Sequence, residues 1–182
     1  MTIRQLSSRV AYRNRWMTVR EDEIERDNGE RGIYGVVEKH DGAIVIAMDN
    51  DDVYLVEQYR YALKANSLEF PQGSLERSDI EPIEIARDEL RAEIGMDAGK
   101  FEYLGKIYIA CGYANQQTHA FLATGLTQAA AQRDAEEHDL VVRKVSLREL
   151  KRLIRENVIR DGQSLAAWGL YLERVAGPPR EA

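Results

Sequence analysis

The stretch that decides how this chain is read runs from Gly73 to Met96: Gly73-Ser-Leu-Glu-Arg-Ser-Asp-Ile-Glu-Pro-Ile-Glu-Ile-Ala-Arg-Asp-Glu-Leu-Arg-Ala-Glu-Ile-Gly95-Met96. Its second half has a helical period. Ile83, Ala86, Leu90 and Ile94 recur at spacings of three and four and draw an apolar stripe along one face. Pro82 suits the first helical position and Gly95 a left-handed residue just past the end, so a helix is predicted over 81–94. Its first half is a loop, entered through Glu69-Phe-Pro-Gln-Gly73.

The acids of this helix are unevenly placed. Glu84 has Arg87 three residues on, and Asp88 has Arg91, so each has a local basic partner. Glu89 and Glu93 lie one turn apart, and their remaining neighbours on that face are Ile85, Ala86, Leu90, Ala92, Met96 and Asp97. None is basic. A like-charge pair at that spacing costs a helix about 0.2–0.5 kcal/mol. A hard divalent cation reverses the sign, because carboxylate oxygens are its preferred ligands. On spacing alone, a solvated acidic face, pairing with a basic residue from another element, and a cation site all stay open.

Outward from this stretch the pattern is mostly strands. Thr18–Arg26 and Arg31–Glu38 flank Asp27-Asn28-Gly29, a hairpin signal. Ala43–Ala47 and Val53–Val56 flank the polar turn Asp49-Asn-Asp-Asp52. Beyond the helix, strand-like runs cover Tyr103–Ala110, Thr118–Ala123 and Leu140–Val145. Ser146-Leu-Arg-Glu149 is a capping box opening a helix to about Asn157, and a last helix runs from the break at Asp161-Gly162 to about Val175. This mixture predicts an α+β layered domain with a mixed sheet between helices.

Composition narrows the function classes. With 25 basic and 31 acidic residues the net charge is −6, which argues against a nucleic-acid surface. A small phosphorylated substrate remains compatible, since a bound divalent cation can supply positive charge. The lone Cys111 excludes an intrachain disulfide and a multi-cysteine zinc site. His40, His119 and His138 form no metal-ligand pattern. No run approaches a membrane span and the start is unlike a signal peptide, so a cytoplasmic protein is expected.

Gly73–Met96 resembles the Nudix box, Gly-x5-Glu-x7-Arg-Glu-U-x-Glu-Glu-x-Gly-U with U aliphatic. Aligned from Gly95 backwards, Glu89 falls on the acid of Arg-Glu, Leu90 on U and Glu93 on the second acid of Glu-Glu. Val56-Glu-Gln-Tyr-Arg-Tyr61, Leu68-Glu-Phe-Pro-Gln-Gly73, Cys111-Gly-Tyr-Ala-Asn115 and Thr118-His-Ala-Phe-Leu-Ala123 resemble the ADP-ribose pyrophosphatase branch. The likeness runs from about Asn14 to about Leu170. Asp88 stands where the box has Arg, Ala92 replaces an acid, and the loop is one residue longer, which puts Ile80 at the early Glu position between Asp79 and Glu81.

The resemblance implies a Nudix fold, an α/β/α sandwich with a mixed β-sheet, preceded by an N-terminal antiparallel β segment. It divides the chain into residues 1–40, which would help form a homodimer, a hydrolase domain over 41–176, and a frayed tail over 177–182. It implies a pyrophosphohydrolase of nucleoside diphosphate-linked compounds, ADP-ribose or another nucleotide sugar first, using Mg²⁺ or Mn²⁺. A dinucleoside polyphosphate hydrolase and a catalytically weak nucleotide-binding module are the alternatives. Glu89, Glu93 and the Gln72 carbonyl would hold metal, with Glu89 also counted as catalytic. The general base would come from the acidic stretch Asp134–Asp139, Glu136 first and Glu137 next. Arg60 would contact phosphate, its other reading being a strand-end arginine with a local Glu partner. Glu69 would bind substrate or orient the loop. His119 is expected as a packed structural histidine, and Trp16 and Tyr113 as core aromatics.

Overall fold

The computed structural model describes residues 2–74, 80–129 and 139–175. In chain order the elements are β1 (Ile3–Arg13), β2 (Thr18–Arg26), β3 (Arg31–Glu38), β4 (Gly42–Asp49), β5 (Asp52–Arg60), β6 (Ala65–Glu69), β7 (Gln72–Gly73), α1 (Pro82–Ile94), β8 (Met96–Tyr108), β9 (Gln117–Gln128), β10 (Val141–Ser146), α2 (Leu147–Arg155) and α3 (Gly162–Arg174). The expected tail over 177–182 lies outside the described residues.

Strands β1, β2 and β3 make an antiparallel sheet. The β2–β3 hairpin turns where expected, with Gly29 at φ 84° taking the left-handed position. Sequence reading outlined no separate strand for β1. It is bulged at two places, and its apolar residues Ile3, Leu6, Val10 and Tyr12 are exposed, so it has no buried face to print a period. The sheet is tied to the rest of the chain through β3. Val37 N–H donates to the Tyr113 carbonyl (2.7 Å), Asn115 N–H to the Val37 carbonyl (3.2 Å) and Tyr34 Oη to the Gly112 carbonyl (2.5 Å).

The larger sheet has the order β10-β5-β4-β9-β8, with β6 beside β5 and β7 beside β4. Only β4 and β9 are parallel among its described pairs, so the sheet is mixed, as expected. β4 is buried on both faces, which is why Ala43–Ala47 reads as an unbroken apolar run. Its period of two still sorts the layers. Ala43, Val45 and Ala47 pack with Ile85, Ala86, Leu90 and Ile94 of α1, while Ile44 and Ile46 join Leu150, Leu153 and Trp168 of α2 and α3. That is the α/β/α sandwich.

One feature of this sheet sets up the site. β4 and β5 pair only over Ala47–Asp49 with Asp52–Tyr54, next to their turn. Beyond it they part, and residues 65–73 fill the gap. β6 pairs with β5 (Val56 opposite Glu69), and β7 pairs with β4 (Ile44 opposite Gln72), while Val45 N–H donates to the Pro71 carbonyl at 2.9 Å. Pro71 cannot donate to a ladder, so the filling segment breaks into two short strands. The approach of β7 to β4 needs Gly42: a Cβ there would lie 2.5 Å from the Gly73 carbonyl oxygen. Gly42→Ala must push backbone from backbone, a cost of about 1–3 kcal/mol. The urea midpoint should fall at unchanged slope; an unchanged midpoint would show that the strands yield freely.

The remaining differences from expectation are at edges. β8 begins directly after Gly95 and β9 runs on to Gln128, both longer than the runs over 103–110 and 118–123. The added residues include the polar Asp97, Lys100 and Thr127, which pair as an edge ladder with little apolar alternation. Ser146 caps α2 by accepting from Glu149 N–H (3.2 Å), as its capping box requires. Among the described residues no helix is long and apolar enough to cross a membrane.

Candidate active site

α1 packs its apolar stripe on β4 and ends at Gly95 in the left-handed region, φ 67°. That orientation sends Glu89 and Glu93 toward the filling segment. Glu93 is 1% exposed, which rules out a solvated acidic face. Its Oε2 accepts from the Gln72 N–H at 3.0 Å. Glu89 lies over the next residue: a Cβ on Gly73 would be 2.2 Å from Glu89 Oε1 and 2.7 Å from Oε2. The two carboxylates thus converge on two consecutive residues, the Gln72–Gly73 dipeptide. Glycine at 73 makes room for the second of them.

The basic residues of α1 are arranged partly as expected. Arg87 pairs with Glu84 (3.5 Å) and lies over the Phe101 ring (4.8 Å). Arg91 does not serve Asp88 as sequence spacing suggested. It binds Asp97 at 2.5 Å, because the tight turn at Gly95 brings the start of β8 back beside the helix. Asp88 is exposed.

A cavity of about 380 Å³ opens at the filled gap, lined among others by Arg60, Glu69, Gln72, Gly73, Asp161 and Lys39. Of the two readings of Arg60, the structure shows the local Glu partner and places the residue at the cavity. It ends β5 on the cavity wall, and it has a Glu partner: Nε donates to Glu69 Oε1 at 3.0 Å and Nη2 to Oε2, a two-point grip. Burial pushes the Glu69 carboxyl up, but Arg60, Ser67 and Gln72 outweigh it and hold the group below its ordinary range. The Arg60 guanidinium is held above its ordinary value, by Glu69 first and with Glu93 and Asp161 adding, against burial. A positive group therefore lies within electrostatic reach of Glu93, which the local helix neighbours did not supply.

Gln72 belongs to both halves of the site. Its side-chain Nε2 donates to Glu69 Oε2 (2.8 Å) and Asp161 Oδ2 (3.1 Å), and its Oε1 is buried without a hydrogen-bond partner. Sequence reading missed Asp161 as a site residue, taking Asp161-Gly162 as a chain break. The available signal was the Asp-x-x-Ser pattern, for Asp161 caps α3 through Ser164 N–H at 2.8 Å. It also missed Lys39, Thr118 and Gln163 on the cavity wall, where Thr118 Oγ1 donates to Gln163 Oε1 at 2.6 Å.

Glu136 and Glu137 lie outside the described residues. His119 is half-buried as expected, with Tyr103 Oη 3.3 Å from Nδ1. Burial lowers its pKa, Asp41 opposes, and Lys106 adds to the lowering. Trp16 and Tyr113, expected in the core, are instead 50% and 60% exposed, for Trp16 lies in the turn between β1 and β2 and Tyr113 in the loop between β8 and β9. Arg15 lies over the Trp16 ring at 4.2 Å.

Comparison with known proteins bears on this geometry. Residues 3–37 match the model of the nucleoside diphosphate sugar hydrolase N-terminal domain, and residues 38–167, more than half of the chain, match the NUDIX domain. The chain belongs to the Nudix family of hydrolases. It is similar to the ADP-ribose pyrophosphatase of Bacillus subtilis (strain 168), at 30% identity over 149 residues covering 80% of each chain. It is also similar to a methanol dehydrogenase activator of Bacillus methanolicus, at 32% identity over 161 residues, 86% of this chain and 85% of that one. A crystal structure of an ADP compounds hydrolase shares the fold, with TM-score 0.86, 21% identity, and coverage of 97% of this chain and 96% of that one.

Nudix membership implies a divalent cation, and the residues fit one. Glu89 and Glu93 offer hard oxygen donors at a dipeptide where glycine leaves room for the first of them. Among the described residues no group of three or more His, Cys, Asp or Glu could hold a metal. A cation held by these two carboxylates would take its remaining ligands from other oxygen donors.

Proposed function

We propose that this Nudix hydrolase is a Mg²⁺-dependent pyrophosphohydrolase of nucleoside diphosphate sugars, with ADP-ribose its first substrate. The observation that carries the reading is the convergence of Glu89 and Glu93 on the Gln72–Gly73 dipeptide, which also borders the cavity walled by Arg60. The relatives named ADP-ribose pyrophosphatase and the N-terminal nucleoside diphosphate sugar hydrolase match support the substrate class.

Glu89, Glu93 and the Gln72 carbonyl would hold the cation, which when bound neutralises the diphosphate and lowers the pKa of a coordinated water. The protein's own residues do the rest. Glu69 holds the Arg60 fork by two of its five N–H donors, leaving three for diphosphate oxygens. Lys39, on the same wall, adds a second positive charge. A carboxylate of the 134–139 stretch, Glu136 first and Glu137 next, takes the proton from the attacking water. The exposed apolar residues of β1 support a homodimer built on residues 1–40. The one thiol, free and exposed at Cys111, suits a reducing cytoplasm.

The test is turnover of ADP-ribose, other nucleoside diphosphate sugars and diadenosine polyphosphates with Mg²⁺ and with Mn²⁺, with products identified. ADP-ribose should give AMP and ribose 5-phosphate at the highest kcat/KM. Preference for a dinucleoside polyphosphate would overturn the substrate class, and inertness toward the whole panel would overturn the enzyme.

A further inference from the structure

We propose that the Gln72 side chain is a positioning residue, which holds Arg60 for anion binding by anchoring Glu69 to Asp161, the N-cap of α3. The inference rests on the reading that Arg60 meets the substrate diphosphate.

Gln72 is 8% exposed, and both hydrogens of its amide nitrogen are used, one on Glu69 and one on Asp161. This orientation follows from charge. Two carboxylates flank the group, and the reverse amide would aim its oxygen at their oxygens. The consequence is a buried Oε1 that accepts from no protein donor. Without the amide bridge, Glu69 and Asp161 would repel and Glu69 would be free to take another rotamer. Arg60 would follow it, since Glu69 holds its Nε and Nη2.

The anchor at the other end is firm. Asp161 Oδ2 also accepts from Ser164 N–H (2.8 Å), and the buried Ser164 returns to the same segment, accepting from Phe70 N–H at 2.9 Å. The start of α3 therefore holds residues 69–72 at two points, one backbone and one side chain. The side-chain point is the one that leads to Arg60. A residue acting through Arg60 affects binding of the diphosphate in ground and transition states alike, so its loss should appear in KM and leave kcat.

Two variants cut the bridge from opposite ends. Gln72→Met keeps the volume and removes both donors. Asp161→Ser keeps a good cap for Ser164 and is too short to reach Gln72. Each should raise KM for ADP-ribose about tenfold, the lower end for loss of a supporting partner, with kcat within about threefold. The double variant should be no worse than the worse single one, because both cut one connection. Calorimetric binding of inorganic pyrophosphate with Mg²⁺ should weaken in parallel, and it reads the inference even where ADP-ribose proves not to be the substrate. Gln72→Asn, measured alongside, serves if Gln72→Met fails to fold. Unchanged KM and pyrophosphate affinity, a loss confined to kcat, or losses that multiply in the double variant would each overturn the proposal.

Discussion

Glu93→Gln is expected to lower ADP-ribose turnover about 10³-fold while the protein stays folded, since charge stabilisation by a metal is worth several kcal/mol. The substitution is close to isosteric. The glutamine Oε1 can still accept from Gln72 N–H, the contact that Glu93 makes at 3.0 Å. What is lost is one of two anionic donors at the Gln72–Gly73 dipeptide, together with a negative charge that Arg60 feels. Because Glu93 is 1% exposed, the variant also swaps a buried charge for a neutral amide, so the melting temperature should move by only a few degrees in either direction. Steady-state hydrolysis with Mg²⁺ and a thermal melt check both halves. Activity within tenfold of the parent would mean that the glutamate pair is structural.

The sequence carried the layers of this fold because they rest on local periods. The stripe Ile83, Ala86, Leu90, Ile94 and the run Ala43–Ala47 each report their own burial, and together they name the α1 side of the sandwich. The Asp27-Asn28-Gly29 and Ser146–Glu149 signals were as plain, because turn and cap chemistry is spelled in adjacent residues. The splitting of β4 from β5 was not legible. Residues 65–73 enter the sheet through pairings that no period encodes, and Pro71 and Gly73 make the segment read as loop.

The same division runs through the candidate site. The Glu89–Glu93 pair stood out because its helix neighbours are not basic, yet spacing could not tell a solvated face from a built site. Burial of Glu93 excludes the solvated face. Arg60 and Glu69 were legible as candidates, nine residues apart on strands that proved to be neighbours. Asp161 was not, for its contact with Gln72 spans 89 residues and its local sequence announces only a cap. Long-range polar contacts leave no local pattern, and in this chain they are what ties the Arg60–Glu69 pair through Gln72 to Asp161.

Gly73→Ala should test the seat of Glu89 with little cost to the fold. Gly73 is not among the glycines with positive φ, so alanine suits its backbone. The atoms in the way are the Glu89 carboxylate, 2.2 Å from the added Cβ at Oε1, the far end of a flexible side chain. The side chain can swing aside, so stability should change by less than about 1 kcal/mol, unlike Gly42→Ala, where backbone blocks backbone. Activity should not survive as well. Displacing a catalytic carboxylate by an ångström or more can cost about 10²-fold, and that is the expected fall in kcat/KM. A second measurement assigns the cause. In a Glu89→Ala background the carboxylate is already gone, so Gly73→Ala should add less than about threefold, whereas two independent defects would multiply. Multiplication there would mean that Gly73 serves the substrate directly, and the seat of Glu89 against the Gln72–Gly73 dipeptide would lose its claim to the cation.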